Sequence, residues 1–466
     1  MTTSSELAAR GLLERLRPSA APMPTRRSRS ELALVRELAC EGPAGPDRNA
    51  GGPPSPPLSL RRLLGFLGPG YLIAVGYMDP GNWATDLAGG SGFGYALLWI
   101  VALSSAMAMF LQVLAARLGI VSGLDLAQAC RVYSAPSTVV WQWLLCEVAI
   151  CAADLAEVIG TAIALNLLFG LPLAWGVGLT ILDVLLVLWL QQRGFRYLEA
   201  FIISLLAVVA ICLAVTVVMV QPQWREVFAG FVPNTRTVVD PAMLYIAIGI
   251  IGATVMPHNL YLHSAIVKAR RGSESDRDAT LSYASIDIVA ALAIAFVVNA
   301  AILVMAGAAF HAHGRHEVAE LQDAHALLAT MTGSAVAGTA FALALFASGQ
   351  SSAVTATLTG QIVMEGFLKL SIPLWARRLL TRAVAVVPAL FVVLVYGESA
   401  IAKLLIASQV VLSLQLPFAM VPLIRYTSRR SVMGRHANTR LATCIAVTIA
   451  ALIIGLNAVL VWRTLA

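Results

Sequence analysis

Residues 79–82 read Asp79-Pro80-Gly81-Asn82 and residues 256–259 read Met256-Pro257-His258-Asn259, two copies of x-Pro-x-Asn, each in the middle of a long apolar run. A proline inside a helix removes a backbone hydrogen bond and clashes with the preceding turn, and Gly81 adds backbone freedom beside the first. Each run is therefore expected to be a helix broken at its centre. The carbonyls that a break sets free cannot face lipid, so they must face protein, water or an ion. Paired interruptions at corresponding places in two inverted halves are the sequence mark of a transporter's binding site.

Working outward from the two breaks, apolar runs of the ~20 residues needed to cross ~30 Å of hydrocarbon follow one another almost without pause from residue 63 onward. Eleven spans are expected, at 64–89, 93–119, 137–168, 171–191, 197–220, 242–267, 282–310, 335–364, 381–397, 399–424 and 440–462. One x-Pro-x-Asn opens each block of five, and an odd number of crossings turns the second block upside down. Repeat one is then about 64–220, repeat two about 242–424, and the eleventh span lies outside both, all within one unit, 59–466. Residues 1–58 hold nine of the 21 prolines and eight arginines, with no apolar stretch of signal-peptide length. They read as a disordered basic cytoplasmic tail.

Composition excludes a soluble protein. Hydrophobic residues make up 59% and charged residues 12%, against about 45 to 50% and about 25% in soluble domains. The net charge of +7 does not indicate nucleic acid, because Lys and Arg sit in short clusters between apolar runs. Counted on alternate sides of the spans, 27 of the 32 fall on the side of the amino terminus, leaving only Arg225, Arg236, Arg315, Lys403 and Arg463 opposite. Cytoplasmic segments accumulate basic residues, so a multi-pass protein of the cytoplasmic membrane is expected, amino terminus inside and carboxyl terminus outside. Cys40, Cys130, Cys146, Cys151, Cys212 and Cys444 show no CxxC pair and read as packing residues. No HExxH, P-loop or dinucleotide motif is present, so neither membrane proteolysis nor ATP-driven pumping is supported and no enzyme is expected.

Asp79 gives the first break its chemistry, since an intramembrane carboxylate costs about 2.5 to 3.5 kcal/mol on insertion scales and marks an ion or proton path. Pro257 frees the carbonyls one turn earlier, around Ala253 and Thr254, and Met256 adds a thioether. Carboxylate, amide and carbonyl oxygens beside a thioether favour manganese, iron(II), cobalt and cadmium over sodium, magnesium or calcium; a methionine alone would read as packing. The two quoted stretches resemble the paired signature of the natural-resistance-associated macrophage protein (Nramp) family of divalent metal transporters. Gly349-Gln350-Ser351-Ser352 through Gly360-Gln361 and Met364-Glu365-Gly366 resembles that family's transport motif, and Ser408-Gln409-Val410-Val411 through Gln415-Leu416-Pro417 its tenth helix, so the resemblance covers residues 60–462. It implies an all-α polytopic protein of the leucine-transporter-type fold, with two inverted five-helix repeats and discontinuous helices one and six. It implies proton-coupled uptake of manganese or iron(II), also cadmium or cobalt, by a monomer, with Asp79, Asn82, Met256 and the Ala253 carbonyl holding the metal and Gln409 a ligand in one state. Metal and protons are then substrate and co-substrate, and no cofactor is expected.

In the third span Glu147, Asp154 and Glu157 stand seven and three residues apart, on one face with Cys151 between. Such a stripe reads as a proton relay, or as ion pairs that only fix helix packing. The resemblance implies that protons leave Asp79 along it and that Arg378 or Arg382 pairs with the inner acid, without deciding which. His258 and His263 lie five residues apart, about 140° around a helix and unsuited to chelating one ion. His258 reads as a proton-linked or gating group, and His263 either as part of the inner pathway or as a histidine bonded to a carbonyl. The segment with His311, His313, His316, Glu317, Glu320, Asp323 and His325 could gather cations, but reads first as a solvated loop. The alternative function is a sodium-coupled amino-acid or amine symporter on the same fold, which would need free helix N-termini and no thioether.

Overall fold

The computed structural model describes residues 68–182, 189, 195–268, 270, 277–316, 320–370, 372–396 and 400–465. The tail at 1–58, Arg61, Arg62, Arg193, Arg271, Glu317 and most of the second half of the fourth expected span lie outside the described residues. The secondary structure is helical, with α1 Pro69–Gly76, α2 Pro80–Phe93, α3 Leu98–Ser122, α4 Leu126–Tyr133, α5 Pro136–Phe169, α6 Leu173–Leu179 and α7 Phe195–Val220. After these come α8 Pro241–Thr254, α9 Pro257–Lys268, α10 Arg277–Ala309, α11 Leu321–Met331, α12 Ala335–Leu368, α13 Leu374–Tyr396, α14 Ile401–Thr427 and α15 Arg440–Leu465.

Among the described residues nine helices or broken-helix units are long and apolar enough to cross a membrane. Of the eleven expected spans, the first is the pair α1 and α2, too short singly, and the fourth is represented by α6 and the turn after it. The breaks fall where proline demanded them. α1 stops at Gly76 and α2 restarts with Pro80 as its first residue; α8 stops at Thr254 and α9 restarts with Pro257. Proline suits a helix's first turn because its missing N–H would have had no partner there.

The broken helices and α12 are buried inside the bundle, whereas α7, α13 and α15 turn much of their apolar surface outward. α12 reaches its central place by being thin. Between Ser348 and Gly360 all but Gln350, Val354 and Leu358 are glycine, serine, threonine or alanine, and the hydroxyls of Ser351, Thr355, Thr357 and Thr359 donate to carbonyls of their own helix at 2.9, 2.8, 2.6 and 2.8 Å. Small, self-satisfied residues let backbones approach closely in a bilayer. A side-chain carbon on Gly349 would collide with the Thr161 hydroxyl of α5, and one on Gly160 with the Pro80 ring at the first break.

The ninth span corrects the sequence reading. Expected at 381–397, the helix begins at Leu374, because its first turns carry Arg377 and Arg378 ahead of the expected start and Arg382 just inside it, all three counted from the sequence as loop charges. All three are buried, at 4%, 2% and 0% exposure, and so do not belong in the count of cytoplasmic loop charges. Without them 24 basic residues still stand against five.

Candidate metal site and the buried ion pairs

The first break leaves Tyr77 and Met78 between α1 and α2, and its carbonyls are met by side chains from distant helices. Asn299 Nδ2 on α10 donates to the Tyr77 carbonyl at 2.9 Å, and the Ser348 hydroxyl on α12 donates to the Met78 carbonyl. Gly68 and Gly70, at the start of α1, donate their N–H groups to the carboxylate of Asp287 on α10, at 3.4 and 2.7 Å. Asp79 N-caps α2: its Oδ1 accepts from the Asn82 N–H at 2.9 Å, which supplies a helix start with the acceptor it prefers.

The second break comes against the first through Asn82. Its Nδ2 donates to Asp79 Oδ1 at 2.7 Å and to the Ala253 carbonyl at 3.1 Å, so one amide bridges an oxygen of each break. Met256 is 1% exposed, and its Sδ accepts from Asn259 Nδ2 at 3.3 Å. The Asn259 amide in turn lies against Gly76, where a side-chain carbon would stand 2.6 Å from Nδ2. Gln409 on α14 lies over the first break, its amide occupying the space that a side chain at Gly81 would need, while its own carbonyl fills the space beside Gly252. Gln409 Nε2 donates to Ser408 at 2.9 Å; Gln409 Oε1, Asn259 Oδ1 and Asn299 Oδ1 are buried without a hydrogen-bond partner.

Of the five residues expected to hold metal, Asp79, Asn82 and the Ala253 carbonyl are joined by hydrogen bonds, Gln409 lies against Gly81 at the start of α2, and Met256 lies in the second break, bonded to Asn259. Buried oxygens that lack a donor are what a cation site presents, since such groups are otherwise rare. Asp79 is the lone carboxylate among them, and among the described residues no three His, Cys, Asp or Glu side chains converge on a metal-sized point. Sequence reasoning missed three residues here. Asn299 and Ser348 hold the break's carbonyls, the latter bordering the quoted Gly349-Gln350 motif. Asp86, also on α2 and seven residues from Asp79, is 1% exposed with its Oδ2 lacking a hydrogen bond. Its seven-residue offset from Asp79 was the available signal.

The acids of α5 meet α13. Arg378 Nη1 lies 2.6 Å from Asp154 Oδ1, and its Nη2 3.4 Å from Glu157 Oε2; Arg382 Nη1 stands 3.6 Å from Glu157 and 3.9 Å from Asp154. Arg378 is thus the partner of Asp154, with Arg382 behind it. Arg377, counted from sequence only as a loop charge, pairs with Glu147 at 2.8 Å. His263 Nδ1 lies 2.9 Å from Gln112 Oε1, and Gln112 Nε2 donates to the Tyr77 hydroxyl at 2.7 Å, so the carbonyl beside His263 is that of a side-chain amide. His258 is 3% exposed, its Nδ1 without a hydrogen bond.

The chain is similar to known proteins over nearly all of this architecture. The family profile described as Nramp, natural resistance-associated macrophage protein-like, matches residues 70–463. A divalent metal cation transporter MntH of Bradyrhizobium diazoefficiens is 57% identical over 407 residues, 87% of this chain and 90% of its own. The MntH of a Nostoc species is 51% identical over 407 residues, 87% of this chain and 92% of its own. The crystal structure of an Eremococcus coleocola manganese transporter, in complex with an aromatic bis-isothiourea substituted compound, matches with a TM-score of 0.79 at 39% identity over 89% of each chain. At 15% identity, Mhp1, a nucleobase-cation-symport-1 family transporter, shares the fold with a TM-score of 0.57, over 85% of this chain and 91% of its own.

Proposed function

The chain belongs to the Nramp family of metal transporters, and from that premise we propose that it imports manganese or iron(II) together with protons across the cytoplasmic membrane, by alternating access around the joined helix breaks. The observation that carries the reading is the Asn82 amide, whose Nδ2 reaches both Asp79 and the Ala253 carbonyl. Two oxygens drawn to one N–H₂ group are two oxygens that a cation would bridge. Turning that amide by 180° exchanges donor for acceptor and presents Oδ1, so the ion is held by Asp79, Asn82, the Ala253 carbonyl and Met256 Sδ. Gln409 Oε1 completes the set in one state. Cadmium and cobalt fit the same donors, through the thioether.

Protons leave Asp79 along α5. Glu157 is the member suited to carry them, because its contacts to arginine, at 3.4 and 3.6 Å, are looser than the 2.6 Å pair that fixes Asp154. His258 and His263, both on α9, are assigned to the inner side of the metal site in this reading, with Glu147 and Arg377 continuing the line. Orientation follows the basic loops, with the amino terminus inside and the carboxyl terminus outside, and the working unit is a monomer in the bilayer without a resident cofactor. A sodium-coupled amino-acid symporter would need N–H groups at the α2 start for a substrate carboxylate; Asp79 already caps that start. The test is uptake of radioactive manganese into proteoliposomes with and without an inward proton gradient. The reading expects uptake that the gradient accelerates and that brings protons in; uptake of neither manganese nor iron(II) would overturn it.

A further inference from the structure

On the face opposite the basic loops, α10 ends at Ala309 and the chain makes a short helical turn, His311–His313. Gly314 then takes a left-handed conformation at φ 73°, its N–H bonded to the His311 carbonyl at 3.0 Å, and the Arg315 N–H returns to the Phe310 carbonyl at 3.0 Å. That reversal folds His316 back over His311. The two rings lie 4.6 Å apart at 66°, and their Nδ1 atoms face each other at 3.1 Å. His311 Nδ1 also lies 2.9 Å from the carbonyl oxygen of Ser91, in the last turn of α2. The His311 ring is seated by Gly94, whose φ of 59° and missing side chain leave it room: a carbon there would come within 3.0 Å of the ring.

Protons alone serve this trio poorly. A neutral imidazole has one N–H and one lone pair, so if His311 donates from Nδ1 to Ser91 that nitrogen has no lone pair for a proton from His316, and its single proton must be divided between the Ser91 carbonyl and the His316 lone pair. If it accepts from His316, its lone pair and the Ser91 carbonyl no longer share a proton. A divalent ion satisfies all three atoms at once. Two ligands about 2.0 to 2.1 Å from an ion stand roughly 2.9 Å apart at a right angle and roughly 3.4 Å apart at the tetrahedral angle, and the observed 3.1 Å falls between. The carbonyl end of α2 adds the negative end of a helix dipole, and imidazole selects zinc, copper or nickel over calcium and magnesium.

We propose that His311, His316 and the Ser91 carbonyl form a second metal site, outside the transport path, that takes a zinc-type divalent ion with water completing the coordination. The ion ties the turn after α10 to the far end of α2, the helix whose near end carries Asp79 and Asn82. Because α2 is one short rigid piece, an ion clamped at its far end restrains the near end as well. External zinc would then slow transport without competing for the transported ion, an effect that rests on the transport reading, whereas the binding itself does not.

The experiment is a zinc titration by calorimetry on untagged, detergent-purified protein carrying Asp79→Asn, which silences the transport site. One zinc per chain is expected with a micromolar Kd, weakened at least tenfold by His316→Ala, at an exposed position where folding is not at risk, and by His311→Ala, and unchanged by His313→Ala. Absence of binding, or binding indifferent to both substitutions, would overturn the site. In proteoliposomes, external zinc should cut manganese uptake at saturating manganese, and His316→Ala should relieve the block while leaving zinc-free uptake as in the parent. A block removed by excess manganese would overturn the clamp. Absence of manganese uptake in the parent would count against the transport reading and leave the titration to decide the site.

Discussion

Asn82 and Asp79 divide the work at the break between a neutral bridge and a charge, and the two substitutions that test them differ accordingly. Asp79→Asn takes away the single carboxylate while leaving an N-cap that asparagine fills well. Breaking a buried charge pair costs about 3 to 5 kcal/mol, so manganese uptake should fall by roughly 100-fold or more in a protein that still purifies as folded; normal uptake would refute the assignment. Met256→Ala removes one contact of several, and water can supply a hard oxygen in its place. Cadmium affinity is expected to drop roughly tenfold, one contact at about 1.4 kcal/mol per decade, with manganese transport surviving in part and calcium beginning to compete. Competition assays with excess calcium decide it, and a variant that still rejects calcium and handles cadmium unchanged would make Met256 a packing residue. The proposed ligand residues were legible in the sequence because each stands near a helix-breaking proline or in a quoted motif. Asn299 was not, since an amide inside an apolar run gives no sign of which backbone group it will meet, and Asp86 offered only its seven-residue offset from Asp79.

Among the elements, α5 and α13 carry buried arginine–carboxylate pairs, and their pairing is where sequence and structure diverged most. Three arginines within six residues cannot be ranked without knowing which face of α13 turns to α5, and hydropathy moves the helix start past two of them. The structure separates their roles by burial. Arg378 lies against acids that are 0% and 3% exposed, Arg377 against Glu147 at 19%. Arg378→Ala should therefore lower the thermal midpoint in detergent far more than Arg377→Ala, the first leaving uncompensated buried carboxylates at about 3 to 5 kcal/mol. Equal midpoints would show that the pairing is not built as described. Gly160→Val tests the other contact of α5, with Pro80: overpacking costs about 1 to 3 kcal/mol and should displace the break, reducing uptake more than expression.

For the whole molecule, the expectation concerns direction and coupling. If Glu157 relays protons, Glu157→Gln should diminish metal-stimulated proton entry more than metal binding, because the ligands are untouched; equal losses in fluorescence-dye and binding assays would favour a structural ion pair. In a cysteine-free background, Arg435→Cys, on the exposed turn between α14 and α15, should react with an impermeant maleimide only in inside-out vesicles, and labelling from the other side would reverse the topology. The fold was readable at this scale because eleven apolar runs and two prolines leave few arrangements, whereas the close approach of α5, α12 and the first break depended on glycines whose partners lie far away in sequence. One consequence of the Asn82 bridge concerns turnover. Where Asn82 stands in for the ion, joining one Asp79 oxygen to the Ala253 carbonyl at 2.7 and 3.1 Å, the proposed carrier keeps its two breaks joined without cargo. Such a carrier has no need of a passenger on the return leg, and unlabelled manganese inside the vesicle should do little to speed the entry of labelled manganese from outside.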